Sequence, residues 1–341
     1  MNQSFMVPSF KLESGRVLPE LALAYETYGQ LAPDGRNAIL VTHGFTGNHF
    51  AASAPTPDMP FAGWWSGLVG AGKAIDTDRY FVVSSNMLGS SYGSTAPAST
   101  NPKTGKPYGP DFPDITLTDI VGAQKLLLDS LGVRHLVAVA GPSFGGYQAF
   151  QWAVSYPLFM TGVVPVVTAP KGSGGEAAVK VLQDRFAADP SWNGGWHYDR
   201  GGIFATLVQH RVETLERYGQ NEALARTIPD PAVRAARLRQ LAETWARQFD
   251  PNSMITLRKA AVRYDAERDF SRIRAKVLYV LSRTDKLFPP SIAPAVVDKL
   301  QRAGVGALYF QIDTELGHSA SGPEWAKWAP VLKDFLAKLE Q

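Results

Sequence analysis

The chain has 341 residues, with 34 basic against 31 acidic side chains for a formal charge of +3, and no cysteine. So slight a positive balance, without a long Lys/Arg run, argues against a nucleic-acid partner. The lack of cysteine removes disulfides, thiolate metal sites and a cysteine nucleophile together. Hydrophobic residues at 45% and charged residues at 19% suffice for a sizeable core, and the length suits one large domain with an insertion, or two small domains. Residues 1–15 have no basic flank ahead of an apolar stretch, and no apolar run is long enough to span a bilayer. A soluble cytoplasmic enzyme is the expectation.

The first elements read as a β-hairpin, Phe10 to Glu13 turning at Ser14-Gly15 into Leu21–Tyr25. Ala38–Thr42 is a continuous apolar run of the kind buried in a parallel sheet, and it ends in His43-Gly44-Phe45-Thr46-Gly47. Tyr80–Ser85 is a further strand. A long Gly/Ser/Pro/Asn-rich stretch follows from Asn86 to Asp114, of the length that in compact domains serves function, here as a pocket wall. Ile115–Asp119 opens an amphipathic helix with apolar positions at Ile120, Ala123, Leu126, Leu127 and Leu131, stopped by Gly132.

Leu136–Ala140 then leads into Gly141-x-Ser143-x-Gly145, with a helical pattern from Gln148 to Ala153 behind it. Strand, sharp turn and helix are the context of a nucleophile elbow, in which the two glycines sit where a Cβ would collide with neighbouring backbone. Gly162–Thr168 reads as the next strand. From Lys171 to about Asp250 the pattern is helical, around a Trp192–Trp196 loop, and is read as an inserted lid. Met254–Tyr264 is a helix returning to the core, Val277–Leu281 and Ala307–Ile312 are the last strands, and Trp325–Leu339 is the closing helix. The expected fold is therefore α/β, an α/β-hydrolase with a mostly parallel central sheet, helices on both faces and a helical lid. Its expected division is core 1–170, lid 171–250, core 251–341.

An acidic residue after one late strand and Gly-His after the last give the order Ser143, Asp285, His318, the order of the α/β-hydrolase scaffold. A serine hydroxyl needs a base to take its proton; His318 does this near neutral pH, and Asp285 orients the imidazole. Asp313 is the rival acid, on the wrong connection. Phe45 and Phe144 offer backbone N–H groups for an oxyanion, whereas His43 is assigned a structural part in shaping its turn. His49, His135 and His197 have no comparable context, and His210 in the lid is a minor candidate for touching substrate. No His/Asp/Glu cluster has ligand spacing and no phosphate-binding Gly loop is present, so neither metal nor cofactor is expected.

Several stretches go beyond the generic scaffold: Leu88–Thr95, Asn101–Pro113, Gln148–Ala153 and Leu287–Pro290, with Asp189–Trp192 and Phe249–Ser253. On these residues the chain resembles, over nearly its whole length, the homoserine O-acetyltransferase family of α/β-hydrolase proteins. The resemblance implies two-step acyl transfer through acyl-Ser143, with Asp285 and His318 completing the triad and Phe45 and Phe144 donating to the oxyanion. It also implies a homodimer formed through the lid, whose apolar positions include Val179, Val181, Leu182, Phe186, Leu207 and Val208; a lid packed only on its own core is the alternative.

Acetyltransferases of this family hold homoserine with a lid arginine and with an aspartate directly after the catalytic histidine. Aligned on Gly202–Leu207, the arginine position is taken by Leu207, with Arg211 one helical turn beyond; Ser319 stands where the aspartate belongs. Losing both charges forfeits charge-assisted hydrogen bonds of roughly 1.5–3 kcal/mol each. The first expectation is accordingly an esterase acting on small acyl esters. The alternative is an acyltransferase using acetyl-CoA and homoserine or another alcohol, and a non-catalytic binding protein is the third reading.

Overall fold

The computed structural model describes residues 3–55 and 62–339. Eight strands form the main sheet: β1 (Gln3–Val7), β2 (Leu21–Tyr28), β3 (Ala38–Thr42), β4 (Phe81–Ser85), β5 (Leu136–Pro142), β6 (Met160–Val166), β7 (Lys276–Ser282) and β8 (Ala307–Ile312). Their order is β1-β2-β4-β3-β5-β6-β7-β8. The pairs β1/β2 and β2/β4 are antiparallel, and all pairs beyond are parallel. β3 and β4 are buried at every position, as a strand covered on both faces must be.

The helices are α1 (Leu117–Ser130), α2 (Phe144–Ser155), α3 (Gly175–Ala187), α4 (Phe204–Arg217), α5 (Gln220–Ala225), α6 (Pro231–Ala246), α7 (Pro251–Arg263), α8 (Ala293–Arg302) and α9 (Trp325–Ala337). Ile120 and Leu127 of α1, Phe150 of α2 and Leu300 of α8 share one apolar cluster on one face of the sheet. Trp65 and Leu68, with Trp328, Leu332 and Phe335 of α9, fill a second cluster on the other. None of the helices among the described residues is long and apolar enough to cross a membrane.

Three readings change. The opening hairpin is shorter: Phe10–Lys11 pairs with Val17–Leu18, whereas β2 takes its partner from the residues ahead of Pro8, with Gln3 opposite Tyr25 and Val7 opposite Leu21. Proline has no N–H to donate to a ladder, so the chain breaks there and turns. The strand expected at Gly162–Thr168 runs from Met160 to Val166, because Val167 sits at φ 43° and leaves the extended region. In α1 it is Gln124 that is buried, whereas Leu126 is 38% exposed. That helix is capped as its sequence suggests: the Thr116 hydroxyl accepts from the Asp119 N–H, the Asp119 carboxylate accepts from the Thr116 N–H, and Gly132 follows at φ 81°.

The helices α3 to α6 lie between β6 and α7, in the stretch read as helical. The excursion closes on itself: Lys171 and Asp265 form an antiparallel bridge, Gly172 N–H donates to Tyr264 O, and Ala266 N–H donates to Pro170 O. This closure takes α7 into the excursion as well.

The tightest backbone approach positioning the site is at β3. A Cβ on Gly145 would lie 2.1 Å from the Thr42 carbonyl oxygen, and one on Gly141 would lie 2.4 Å from the same atom. Neither contact is with a flexible side chain that can swing away. Gly145→Ala is therefore expected to destabilise the protein by about 1–3 kcal/mol or more, read as a lowered midpoint in thermal or denaturant unfolding; an unchanged midpoint would show that the helix shifts freely.

Candidate active site

Ser143 joins β5 to α2 at φ 56° and ψ −119°, a conformation that L-residues avoid. Its neighbours over-determine it. The Ser143 N–H donates to Val166 O at 2.8 Å; its carbonyl accepts from the Thr168 hydroxyl at 2.7 Å and from the Gly146 and Tyr147 N–H groups. Thr168 is held in turn, its carbonyl accepting from Tyr279 OH at 2.6 Å.

His318 follows β8 and Asp285 follows β7. His318 Nδ1 lies 2.8 Å from Asp285 Oδ2, and both side chains are buried. The other carboxylate oxygen accepts from the Leu287 N–H at 2.8 Å and the Phe288 N–H at 3.2 Å, so Asp285 is oriented by its own loop. The rival acid Asp313 is exposed and pairs with Arg283 at 2.6 Å. Ser143 and His318 line the same cavity, of about 760 Å³, while Asp285 stands behind the histidine.

The turn after β3 lies against the elbow: a Cβ on Gly44 would be 3.7 Å from Ser143 Cβ, and the rings of Phe45 and Phe144 are 5.8 Å apart. His43 holds this turn. Its Nε2 accepts from the Met87 N–H at 3.3 Å, which leaves Nδ1 to donate to Gly44 O at 2.8 Å. Burial pushes the His43 ring down to about 4. A buried polar chain supports the same turn from behind. Trp152 Nε1 donates to Gln124 Oε1 at 2.7 Å, Gln124 Nε2 to Gln148 Oε1 at 2.7 Å, and Gln148 Nε2 to His43 O at 3.1 Å. The role of Gln124 and Gln148 escaped the reading of the sequence, although two glutamines on otherwise apolar helix faces were a visible signal.

Of the three residues expected at the substrate end, two line the cavity. Arg211 does, with its Nη1 donating to the Thr46 hydroxyl at 2.7 Å, its guanidinium 4.9 Å over the Trp245 ring, and its buried Nε without a hydrogen-bond partner. Burial pushes the Arg211 guanidinium down from its ordinary value. Ser319 lines it too, its N–H donating to Tyr218 O at 2.9 Å. Leu207 does not: it is buried in the apolar cluster, one turn too early on α4. The face of α4 turned to the cavity carries Arg211, Leu215 and, just past its end, Tyr218. The cavity-facing position on this helix is thus that of Arg211, the residue named one turn beyond Leu207.

Tyr218 also escaped the reading of the sequence. Its ring is 4.8 Å from that of His318, and next to it Gly219 at φ 87° packs so closely that a Cβ would sit 2.4 Å from Leu316 O. Tyr92, in the long loop after β4, lines the cavity at φ 73°. His210 is not among the lining residues; its Nδ1 is 2.9 Å from Arg185 Nη1, and burial pushes it down to about 4. His49 is buried against Phe50, His135 bonds to Thr161 and His197 to Asp250. Val179, Leu182, Phe186 and Val208 are buried, whereas Val181 is exposed. No group of three metal-ligating side chains occurs among the described residues.

Two outcomes follow from this geometry. His43 stays neutral in the folded state where the unfolded chain, with a histidine near 6.5, takes up a proton. Stability is therefore expected to fall as pH drops from roughly 6.5 to 4, by about 3 kcal/mol from this residue; denaturant midpoints across that range check it, and His43→Asn should flatten the profile. Gln148→Leu leaves the Gln124 amide buried without its acceptor and frees the turn after β3, so a loss of about 1–3 kcal/mol is expected. A fall in kcat should accompany it, with little change in KM.

Comparison with known proteins identifies the family. Residues 37–320 match the family model for the alpha/beta hydrolase fold. The chain is 39% identical to homoserine O-acetyltransferase from Moorella thermoacetica, covering 96% of this chain and 93% of the relative. It is 38% identical to the enzyme of that name from Geobacter sulfurreducens, with 97% and 95% covered. Among solved structures, homoserine O-acetyltransferase from Bacillus anthracis superposes with a TM-score of 0.89 at 29% identity, covering 98% of this chain and 97% of that one. Esterase E22 superposes equally, with a TM-score of 0.89 at 28% identity over 98% and 99%. The chain is a member of the homoserine O-acetyltransferase-like family of the α/β-hydrolase superfamily.

Proposed function

We propose that this protein is a serine acyltransferase that moves an acetyl-type group from an acyl-CoA to the hydroxyl of a small carboxylate-bearing alcohol, the class of reaction for which its relatives are named. The observation that carries the reading is the meeting, in one cavity, of Ser143, His318 and Arg211, a cation that no described ion pair engages. Ser143 Oγ attacks the thioester carbonyl as His318 takes its proton, and the tetrahedral oxyanion is met by the Phe45 and Phe144 N–H groups. The intermediate collapses to acyl-Ser143, and His318 returns the proton to the departing thiol. The acceptor hydroxyl then attacks acyl-Ser143 with His318 again as base, and Ser143 is regenerated. Asp285 holds the imidazole tautomer throughout. Arg211 binds the acceptor carboxylate, and α3 to α6 serve as the lid.

Hydrolysis is the second reading, in which water takes the acceptor's place. The likeness to esterase E22 and the hydroxyl of Ser319, where a carboxylate would complete a homoserine site, favour it.

Acetyl-CoA is expected to raise the intact mass by one acetyl group in the wild type and not in Ser143→Ala. Product analysis then separates the readings: an acetylated alcohol formed at the expense of free acetate supports transfer, and acetate alone supports hydrolysis. Turnover surviving in Ser143→Ala would remove both.

A further inference from the structure

The charge pattern of the cavity reaches beyond the choice between transfer and hydrolysis. Arg211 is the one cation among the described lining residues, and no Asp or Glu is found among them. None of the described ion pairs engages it: its Nη1 meets a hydroxyl, its flat face meets an indole, and its Nε meets nothing. Among the described residues, the other polar side chains lining the cavity include the neutral Thr46, Gln220, Thr244, Gln248 and Ser319. An arginine keeps its charge, and its planar guanidinium has the geometry that receives a carboxylate through parallel hydrogen bonds.

A zwitterionic amino acid fits this arrangement badly. In homoserine the ammonium and carboxylate share one carbon, so docking the carboxylate on Arg211 holds the ammonium within a few ångströms of the guanidinium. There the like charges repel across a partly dehydrated cavity, and the ammonium gives up water with only neutral hydroxyl or amide oxygens in return. Ser319, adjoining His318, is one of those neutral groups. An alcohol with the same chain and carboxylate but no ammonium keeps the attraction and avoids the cost.

We infer that the alcohol handled at this site is a hydroxycarboxylate without an ammonium group, selected by the pairing of a cationic Arg211 with a neutral Ser319. The inference rests on the reading that Ser143 is acylated, but it holds whether the acyl group goes to another alcohol or to water, because an ester of the preferred alcohol acylates Ser143 by the same contacts in reverse.

The test compares three acetate esters as acyl donors to the full-length enzyme: 4-acetoxybutyrate, O-acetylhomoserine and propyl acetate. The readout is kcat/KM for alcohol release, with intact mass reporting acyl-Ser143. 4-Acetoxybutyrate is expected to exceed both others by about tenfold or more, the factor a single charge-assisted contact supplies. In Arg211→Gln the advantage of 4-acetoxybutyrate over propyl acetate should vanish. In Ser319→Asp the ratio of O-acetylhomoserine to 4-acetoxybutyrate should rise by about tenfold, a gain that a merely damaged protein cannot produce. O-acetylhomoserine equal to or better than 4-acetoxybutyrate in the wild type overturns the inference while leaving acyl-Ser143 intact. Failure of every ester to label Ser143 removes the functional reading, and this inference with it.

Discussion

The site depends on one crowded crossing, where the Thr42 carbonyl at the end of β3 presses against the turn between β5 and α2. The space there excludes a Cβ at Gly141 and Gly145. With both glycines committed to the approach, Ser143, the middle one of the three residues between them, turns at φ 56°, and hydrogen bonds with β6, Thr168 and the first turn of α2 hold it there. Backbone strain of this kind costs of order 1–3 kcal/mol and persists only where surrounding contacts supply more. Its consequence is that Ser143 stands at the C-terminal edge of the sheet, facing a cavity, with two backbone segments, 44–47 and 144–147, converging beside it.

From that point the construction is a matter of which strand ends arrive. Parallel strands bring their C-terminal ends to one edge, so β3 delivers the Phe45 turn, β5 the serine, β7 the aspartate and β8 the histidine to one place. Each arrival is stiffened by groups that never reach the cavity. The Trp152–Gln124–Gln148 chain braces the His43 turn, and the Leu287 and Phe288 N–H groups brace Asp285. The helical excursion contributes the other half of the pocket and is tied to the core at the same spots. Thr46 receives both Arg211 and Trp245, and Tyr218 packs on the His318 ring while its carbonyl takes the Ser319 N–H. The helical excursion and the loops at the strand ends are therefore mechanically joined, although they come from separate layers.

A contrast between two lid positions shows where reading by sequence alone fell short. Aligned on Gly202–Leu207, the sequence offers both Leu207 and, one turn on, Arg211 for the substrate end. The helix places Leu207 in the core and Arg211 in the cavity, one turn apart. A shift of one turn leaves the amphipathic pattern of α4 almost unchanged, so periodicity carries no information about which turn meets the pocket.

The sequence by itself determined the scaffold and the candidate triad. Gly-x-Ser-x-Gly between an apolar run and a helix, a late strand followed by Asp285 and a last strand followed by His318 are local signals, each readable within about ten residues. The neutral Ser319 beside His318 was equally legible, since it depends on no distant alignment. Only the tertiary structure decided the pairing of β1 with β2, the closure of the excursion at Lys171 and Asp265, the glutamine chain beneath the Phe45 turn and the identity of the cation in the cavity. Each of these joins residues far apart in the chain through packing depth and helix phase, and neither quantity is written in any short stretch of the sequence.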